Sequence, residues 1–296
     1  MTERPEYRLE PCKSALNPVR GMPFRWSLNP YMGCVHRCTF CYVRHFEQRA
    51  ERPADDRYGR SIRIKPNVAA VLRRELARPS WQREEVALGT ATDPYQPAEG
   101  RFRLTRACLV ELDAAWTPLS IVTRGPLVVR DIDVLQEASR RAGAEVFLSL
   151  PTLDERVWRT TEPGTAPPRS RLEAIRRLAD ADIEVGVGIA PILPGVSDAP
   201  DQLAAVVRAA RTAGARTIWA SVVHLRPGVR EHFLDALARD WPEQVERYEA
   251  LFGSRSYLPA AVANEIAAPV NEAKLSTASP RRQSARPQPR QLALSL

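Results

Sequence analysis

Apolar positions along the chain gather in six short runs, separated by longer stretches with helical spacing. The runs lie at 26–29, 85–89, 119–123, 145–150, 183–189 and 216–223, and most are rich in Val, Ile and Leu. Strands covered on both faces read this way. Between and after them, apolar residues recur every three or four positions at 67–77, 104–116, 128–143, 169–181, 199–214, 230–239 and 242–252. Boundary signals agree with helices there. Pro66 precedes the first, Thr105 stands as an N-cap, Pro168 opens the fourth, and Gly143 and Gly214 stop their helices. Six strand-then-helix units imply an α/β fold with parallel strands and right-handed crossovers. A doubly wound sheet and a barrel both satisfy the pattern. Residues 1–25 read as an irregular lead-in with four prolines, and 26–259 as the folded domain. Residues 260–296 read as a disordered basic tail, because SPRRQSARPQPRQ lacks apolar periodicity.

Composition changes this picture in three places. With 296 residues and 44% hydrophobic content the chain can bury a sizeable core. No run approaches the roughly 18 apolar residues of a membrane span, and the N-terminus lacks the apolar stretch of a secretory signal, so a cytoplasmic location without membrane contact is expected. The net charge of +8 is uneven: five basic and no acidic residues follow position 272, leaving 38 Lys and Arg against 35 acids elsewhere, or +3. The folded part is thus only mildly basic, a weak argument for a nucleic-acid surface.

The five cysteines are an odd set for disulfides, and three of them crowd into eight residues. Cys34, Cys38 and Cys41 follow a C-x3-C-x2-C spacing just after the first strand, where α/β folds place active sites. Three thiolates from one loop can hold three corners of a [4Fe–4S] cubane and leave the fourth iron open. Zinc with Cys12 or His36 as fourth ligand is the alternative, but no second cysteine knuckle accompanies the first. Gly33 is expected to let the backbone pass close to the inorganic core.

The spacing with its aromatic residue, Cys34, Cys38, Phe40 and Cys41, resembles the signature of the radical S-adenosylmethionine (SAM) superfamily. NPYMGCVHRCTFCYVR, GTATDPYQPAE, IVTRGPLVVRDIDVL, SLPTLDERVWRTTEPGTAPPRSRLEAI and IAPILPGVSD resemble its spore-photoproduct-lyase-like, or DNA repair photolyase-like, branch over about residues 26–258. The resemblance implies a partial (β/α)6 barrel and a cluster on the three cysteines. It implies that SAM chelates the open iron through its amino and carboxylate groups. An electron from a flavodoxin- or ferredoxin-type donor would then release methionine and a 5′-deoxyadenosyl radical that abstracts a substrate hydrogen. DNA is the substrate class the branch suggests. A protein, tRNA or small-molecule substrate, and a noncatalytic iron–sulfur module, stand as alternatives.

The same resemblance places cofactor contacts at strand ends: Phe40 in the cysteine loop, Thr90, Thr92 and Asp93 after the second strand, Thr123 after the third, and Ser149 and Thr152 after the fourth. The superfamily's common Gly-Gly-Glu is absent, and Gly89-Thr90-Ala91-Thr92-Asp93 stands in its place. Arg171 is a candidate for the SAM carboxylate, since a guanidinium suits planar oxyanions. Tyr42 and Tyr95 are candidates for relaying a radical, against a packing role for each. Val185-Gly186-Val187-Gly188 lacks the third glycine and the following acid of a dinucleotide fingerprint, so its glycines are read as serving tight packing or approach to adenine. His224 is expected to be a satisfied buried histidine, and Cys108 a core residue. The last six residues, Gln291-Leu292-Ala293-Leu294-Ser295-Leu296, resemble a bacterial sliding-clamp-binding peptide, which would tie the chain to that partner.

Overall fold

The computed structural model describes residues 5–277. In chain order the elements are β1 (Glu6–Leu9), β2 (Leu16–Pro18), β3 (Trp26–Leu28), β4 (Tyr31–Met32), α1 (Val43–Arg49), β5 (Ser61–Ile64), α2 (Val68–Leu76), β6 (Val86–Leu88), α3 (Pro97–Phe102), α4 (Leu104–Ala114), β7 (Leu119–Thr123), α5 (Ile132–Arg141), β8 (Ala144–Ser149), α6 (Glu155–Thr161), α7 (Pro168–Asp180), β9 (Glu184–Ile192), α8 (Pro200–Thr212), β10 (Thr217–Val222), α9 (Arg230–Asp240), α10 (Val245–Phe252) and α11 (Ala260–Ser276).

All six expected strands lie in one seven-stranded sheet of order β10-β9-β8-β7-β6-β3-β2. Its six main strands are parallel, and β2 closes one edge antiparallel to β3. Each parallel strand lies beside its predecessor, with no reversal. A doubly wound sheet reverses its order at a switch point; a monotone order carries all crossovers the same way round and gives the partial barrel. Leu28, Leu88, Ile121, Val146, Leu148, Val187 and Ile189 are fully buried between sheet and helices. Burying each such side chain contributes about 1.5–3 kcal/mol.

Several expectations change. The lead-in is not irregular: β1 pairs in parallel with β5, which pairs with β4 in a separate three-stranded sheet. β1 is largely exposed, so no apolar alternation marks it. Thr105 is not an N-cap. It sits inside α4, its hydroxyl donating to the Pro94 carbonyl at 2.6 Å and its N–H to Glu99, while left-handed Arg103 joins α3 to α4. Gly186 and Gly188 make room for aromatic rings: a Cβ would stand 2.4 Å from the Phe147 ring and 2.8 Å from the Trp219 ring, respectively. Tight packing, one of the two roles expected for them, is what they provide.

The expectation of disorder from residue 260 is also overturned. Residues Ala260–Ser276 form α11, an alanine-rich helix that packs on α8 and β10 with Val270 and Ala273 buried. Packing against α8 and β10 holds the helix through Pro269, which propensity alone disfavours. The composition of the following proline- and arginine-rich stretch does not extend back this far. That stretch and the clamp-like peptide Gln291-Leu292-Ala293-Leu294-Ser295-Leu296 lie outside the described residues. Among the described residues no helix is long and apolar enough to cross a membrane.

Val270→Asp tests α11 directly. Burying an unpaired carboxylate there should lower the unfolding free energy in a urea titration by at least about 2 kcal/mol. An unchanged midpoint would mean that α11 does not pack on the barrel.

Candidate active site

The cysteine loop runs from Gly33 to Tyr42, between β4 and α1, and its backbone forms neither helix nor strand. Its polar groups must therefore be satisfied from elsewhere. Fully buried Gln96 meets one side: its amide donates to the Gly33 carbonyl at 3.0 Å and its oxygen accepts from Val35 N–H at 3.2 Å. Thr92 donates to the same Gly33 carbonyl at 2.6 Å. On the other side Thr39 N–H donates to the Thr161 carbonyl at 2.9 Å, and Gly164 N–H donates to the His36 carbonyl at 3.0 Å. A Cβ at Gly164 would stand 2.3 Å from the Val35 oxygen, so only glycine lets these segments meet. Gly33 has φ +82°, and a Cβ there would press on the Ser61 carbonyl at 3.0 Å. The left-handed conformation and this close contact with β5 account for the glycine.

Two buried carboxylates complete the frame. Asp93 accepts from Tyr95 N–H, Arg124 N–H and the Thr123 hydroxyl at 2.6–2.8 Å, and lies 3.3 Å from His36 Nδ1. Burial alone would raise its pKa, but His36, Thr123 and Arg124 hold the acid at about 2. For His36, burial opposes the charge while Cys34 and Asp93 favour it, and the net is upward to about 10. Glu162, 1% exposed, lies between two guanidiniums: Arg124 Nε at 2.5 Å and Arg171 Nη1 at 3.3 Å, both on Oε1.

Arg171 is committed. It is fully buried, with Nε on the Ala166 carbonyl, Nη1 on the Ser149 carbonyl and Glu162, and Nη2 on the Thr165 hydroxyl. Its charge is matched by Glu162 and four of its five N–H groups are used. The assignment of Arg171 to the SAM carboxylate is therefore corrected: it positions the loop after α6. Arg124 differs. It spends Nε on Glu162 and Nη2 on the Ala190 carbonyl, its Nη1 makes no hydrogen bond with the described residues, and it stacks 5.4 Å over the Phe40 ring.

The other expected cofactor residues divide in the same way. Thr92, Asp93 and Thr123 are buried, and their polar side-chain atoms are bonded within the frame, Thr123 also accepting from Gly125 N–H at 2.9 Å. Thr90 accepts from Asn29 at 3.1 Å, and Thr152 accepts from Asp154 N–H at 3.0 Å. The Ser149 hydroxyl at the end of β8 makes no hydrogen bond among the described residues. Tyr42 is half exposed, and its hydroxyl donates to the Thr90 carbonyl. Tyr95 instead donates to Asp131 at 3.0 Å, within ion pairs to Arg106 and Arg130, and packs in the core, the placement of the packing role weighed for it. His224 is exposed rather than buried, 4.5 Å from the Tyr257 ring. Cys108 is buried in the core as expected. Gln96, Glu162, Arg44 and Tyr58 were not singled out from sequence, although the first three stand inside the quoted motifs.

The donor set suits an iron–sulfur cluster. Cys34, Cys38 and Cys41 are free thiols, the first two buried, and Cys41 packs against the separate apolar clusters that contain Cys34 and Cys38. Burial pushes the Cys38 and Cys41 thiols up, so iron must displace their protons. Among the described residues no three His, Cys, Asp or Glu side chains converge on one point, as a single zinc ion would need. Ligands of a cubane each hold a different iron, so their sulfurs stand wider apart around the common core than those around a single ion.

Known proteins place this arrangement. The sequence model of the radical SAM superfamily matches residues 28–210. Uncharacterized protein Rv2578c of Mycobacterium tuberculosis is 41% identical over 251 residues, 84% of this chain and 74% of that one. Uncharacterized protein MJ0683 of Methanocaldococcus jannaschii is 26% identical over 187 residues, covering 63% and 68%. Spore photoproduct lyase complexed with dinucleoside spore photoproduct superposes with a TM-score of 0.67 at 13% identity, over 92% of this chain and 79% of that one.

Two outcomes follow for the frame. Glu162→Ala leaves the buried Arg171 and the partly buried Arg124 without their carboxylate and should cost about 3–5 kcal/mol in chemical denaturation; a loss under 1 kcal/mol would contradict the pairing. Asp93 has a folded pKa below its ordinary 3.8, so its contribution is present above pH 3.8 and lost as pH falls toward about 2. Asp93→Asn should flatten that acid limb of the stability profile, and an unaltered limb would contradict the assignment.

Proposed function

This chain belongs to the radical SAM superfamily, and from that membership we propose that it abstracts a hydrogen atom from nucleic acid, with DNA as the substrate class. As a radical SAM enzyme it uses a [4Fe–4S] cluster and SAM and needs an external one-electron reductant. Bound together, the two supply a 5′-deoxyadenosyl radical. Cys34, Cys38 and Cys41 hold the cluster. Arg124 receives the SAM carboxylate on its uncommitted Nη1, and Ser149 offers its hydroxyl to the ribose. Phe40 and the buried Thr92, Asp93 and Thr123 shape the wall and exclude water. We place the reaction in the cytoplasm, where reduced electron carriers are available.

One observation carries the substrate class: an exposed aromatic rim beside the cysteine loop. Tyr42 and Phe46 are 48% and 43% exposed and meet edge to face at 6.1 Å. His45 lies against Phe46 and bonds the Pro227 carbonyl at 3.1 Å. Next to Pro227, Arg226 stacks over Tyr257, which His224 also meets. Aromatic faces interleaved with guanidinium suit unstacked bases, each stacked base contributing about 1–3 kcal/mol. The fold shared with spore photoproduct lyase in complex with a dinucleoside photoproduct supports the same class.

Deuterium-labelled DNA, ultraviolet-irradiated or intact, tests this under anaerobic conditions with SAM and dithionite. Deuterium should appear in 5′-deoxyadenosine, and Phe46→Ala should raise KM for DNA about tenfold. Release of unlabelled 5′-deoxyadenosine with every DNA tried would point instead to a protein, tRNA or small-molecule substrate.

A further inference from the structure

Behind the cysteine loop, on the face of α1, two side chains take no part in the frame described above. Arg44 is 1% exposed. Its Nη1 donates to the Ala54 and Asp55 carbonyls at 2.6 and 2.7 Å, and its Nε has no partner among the described residues. Among the described residues no carboxylate forms an ion pair with it. A buried guanidinium without a counter-charge is costly, so an anion brought near it is favoured. Its Cζ lies 4.6 Å from the centroid of the Tyr58 ring. Tyr58 is 2% exposed and packs with Cys34 and Val43, and among the described residues its hydroxyl bonds Cys41 Sγ at 3.6 Å. Arg44 N–H also donates to the Cys41 carbonyl at 3.1 Å, which ties α1 to that ligand.

Once Cys41 is an iron-bound thiolate it can only accept, so the phenol must donate. A cubane on three thiolates carries a net negative charge that grows by one on reduction. A hydrogen bond to a ligating sulfur and a nearby buried cation both favour the more negative state. We propose that Tyr58 and Arg44 set the reduction potential of the cluster, Tyr58 by donating to the Cys41 sulfur and Arg44 by placing an otherwise unpaired positive charge behind it. The inference rests on the radical SAM reading of the three cysteines. It makes Tyr58 and Arg44 positioning residues: they act on electron acceptance through Cys41, not on the substrate. The step is a one-electron reduction by the external donor, with no bond made or broken at either side chain.

An EPR-monitored redox titration of the anaerobically reconstituted full-length protein reads this without recourse to turnover. Tyr58→Phe keeps the ring under Arg44 and removes the donor alone. Held at the wild-type midpoint, its ratio of reduced to oxidised cluster should fall about tenfold, a shift of 59 mV to more negative potential for a one-electron couple. Arg44→Gln should shift it the same way, and Arg44→Lys, which keeps the charge, should stay closer to wild type. Should Arg44→Gln fail to load iron, Tyr58→Phe decides alone. An unmoved midpoint in Tyr58→Phe at wild-type iron and sulfide content would overturn the proposal. A wild-type protein with no [4Fe–4S] signal would instead remove the reading beneath it.

Discussion

The cysteine loop cannot hold itself. It has no helix or strand hydrogen bonds of its own, and its backbone is fixed by Gln96 and Thr92 from one side and by the Thr161–Gly164 segment from the other. Those holders are themselves fixed by Asp93 and Glu162, buried carboxylates that gather donors from the end of β7 and, for Glu162, from Arg171 of α7. A buried carboxylate is stable only when its charge and lone pairs are matched. Every strand end that feeds the site is thus bound to the next, and the place of three sulfurs follows from the sheet as a whole.

This frame sorts the side chains around the site. Arg171, Asp93 and Thr123 look like ligand-binding groups in sequence, yet their polar atoms are spent within the protein. Among the described residues, Arg124 and Ser149 keep an uncommitted donor. The distinction matters chemically: a donor already satisfied gains nothing from a new anion, whereas a held but unused one gains a full hydrogen bond. Arg124 is held doubly, by Glu162 below and the Phe40 ring beside it, so its free edge is preorganised.

Much of the fold was legible because buried parallel strands announce themselves as Val- and Ile-rich runs, and β7 follows its run residue for residue. Strand order was not legible, since a barrel and a doubly wound sheet share one local pattern. β1 escaped notice because its pairing is through backbone and its side chains are mostly exposed. α11 was missed because the composition beyond it was carried too far back. At the site, the cysteines were legible from spacing alone. Which arginine is free was not: Arg124 and Arg171 differ only in what folding brings to them, and Glu162 is the residue that decides. Tyr58 carries no signal in sequence, since 16 residues, α1 and the turns after it, separate it from Cys41 and their path is not revealed by the chain's periodicity.

On the proposed function, the frame presents three sulfurs to an iron–sulfur core whose fourth iron is open to SAM. The most direct measurement is the EPR spectrum of the anaerobically reduced protein before and after SAM is added. The expected result is a [4Fe–4S] signal, about one cluster per chain, whose shape changes when SAM binds the open iron. Zinc in place of iron, or a cluster signal indifferent to SAM, would contradict the account.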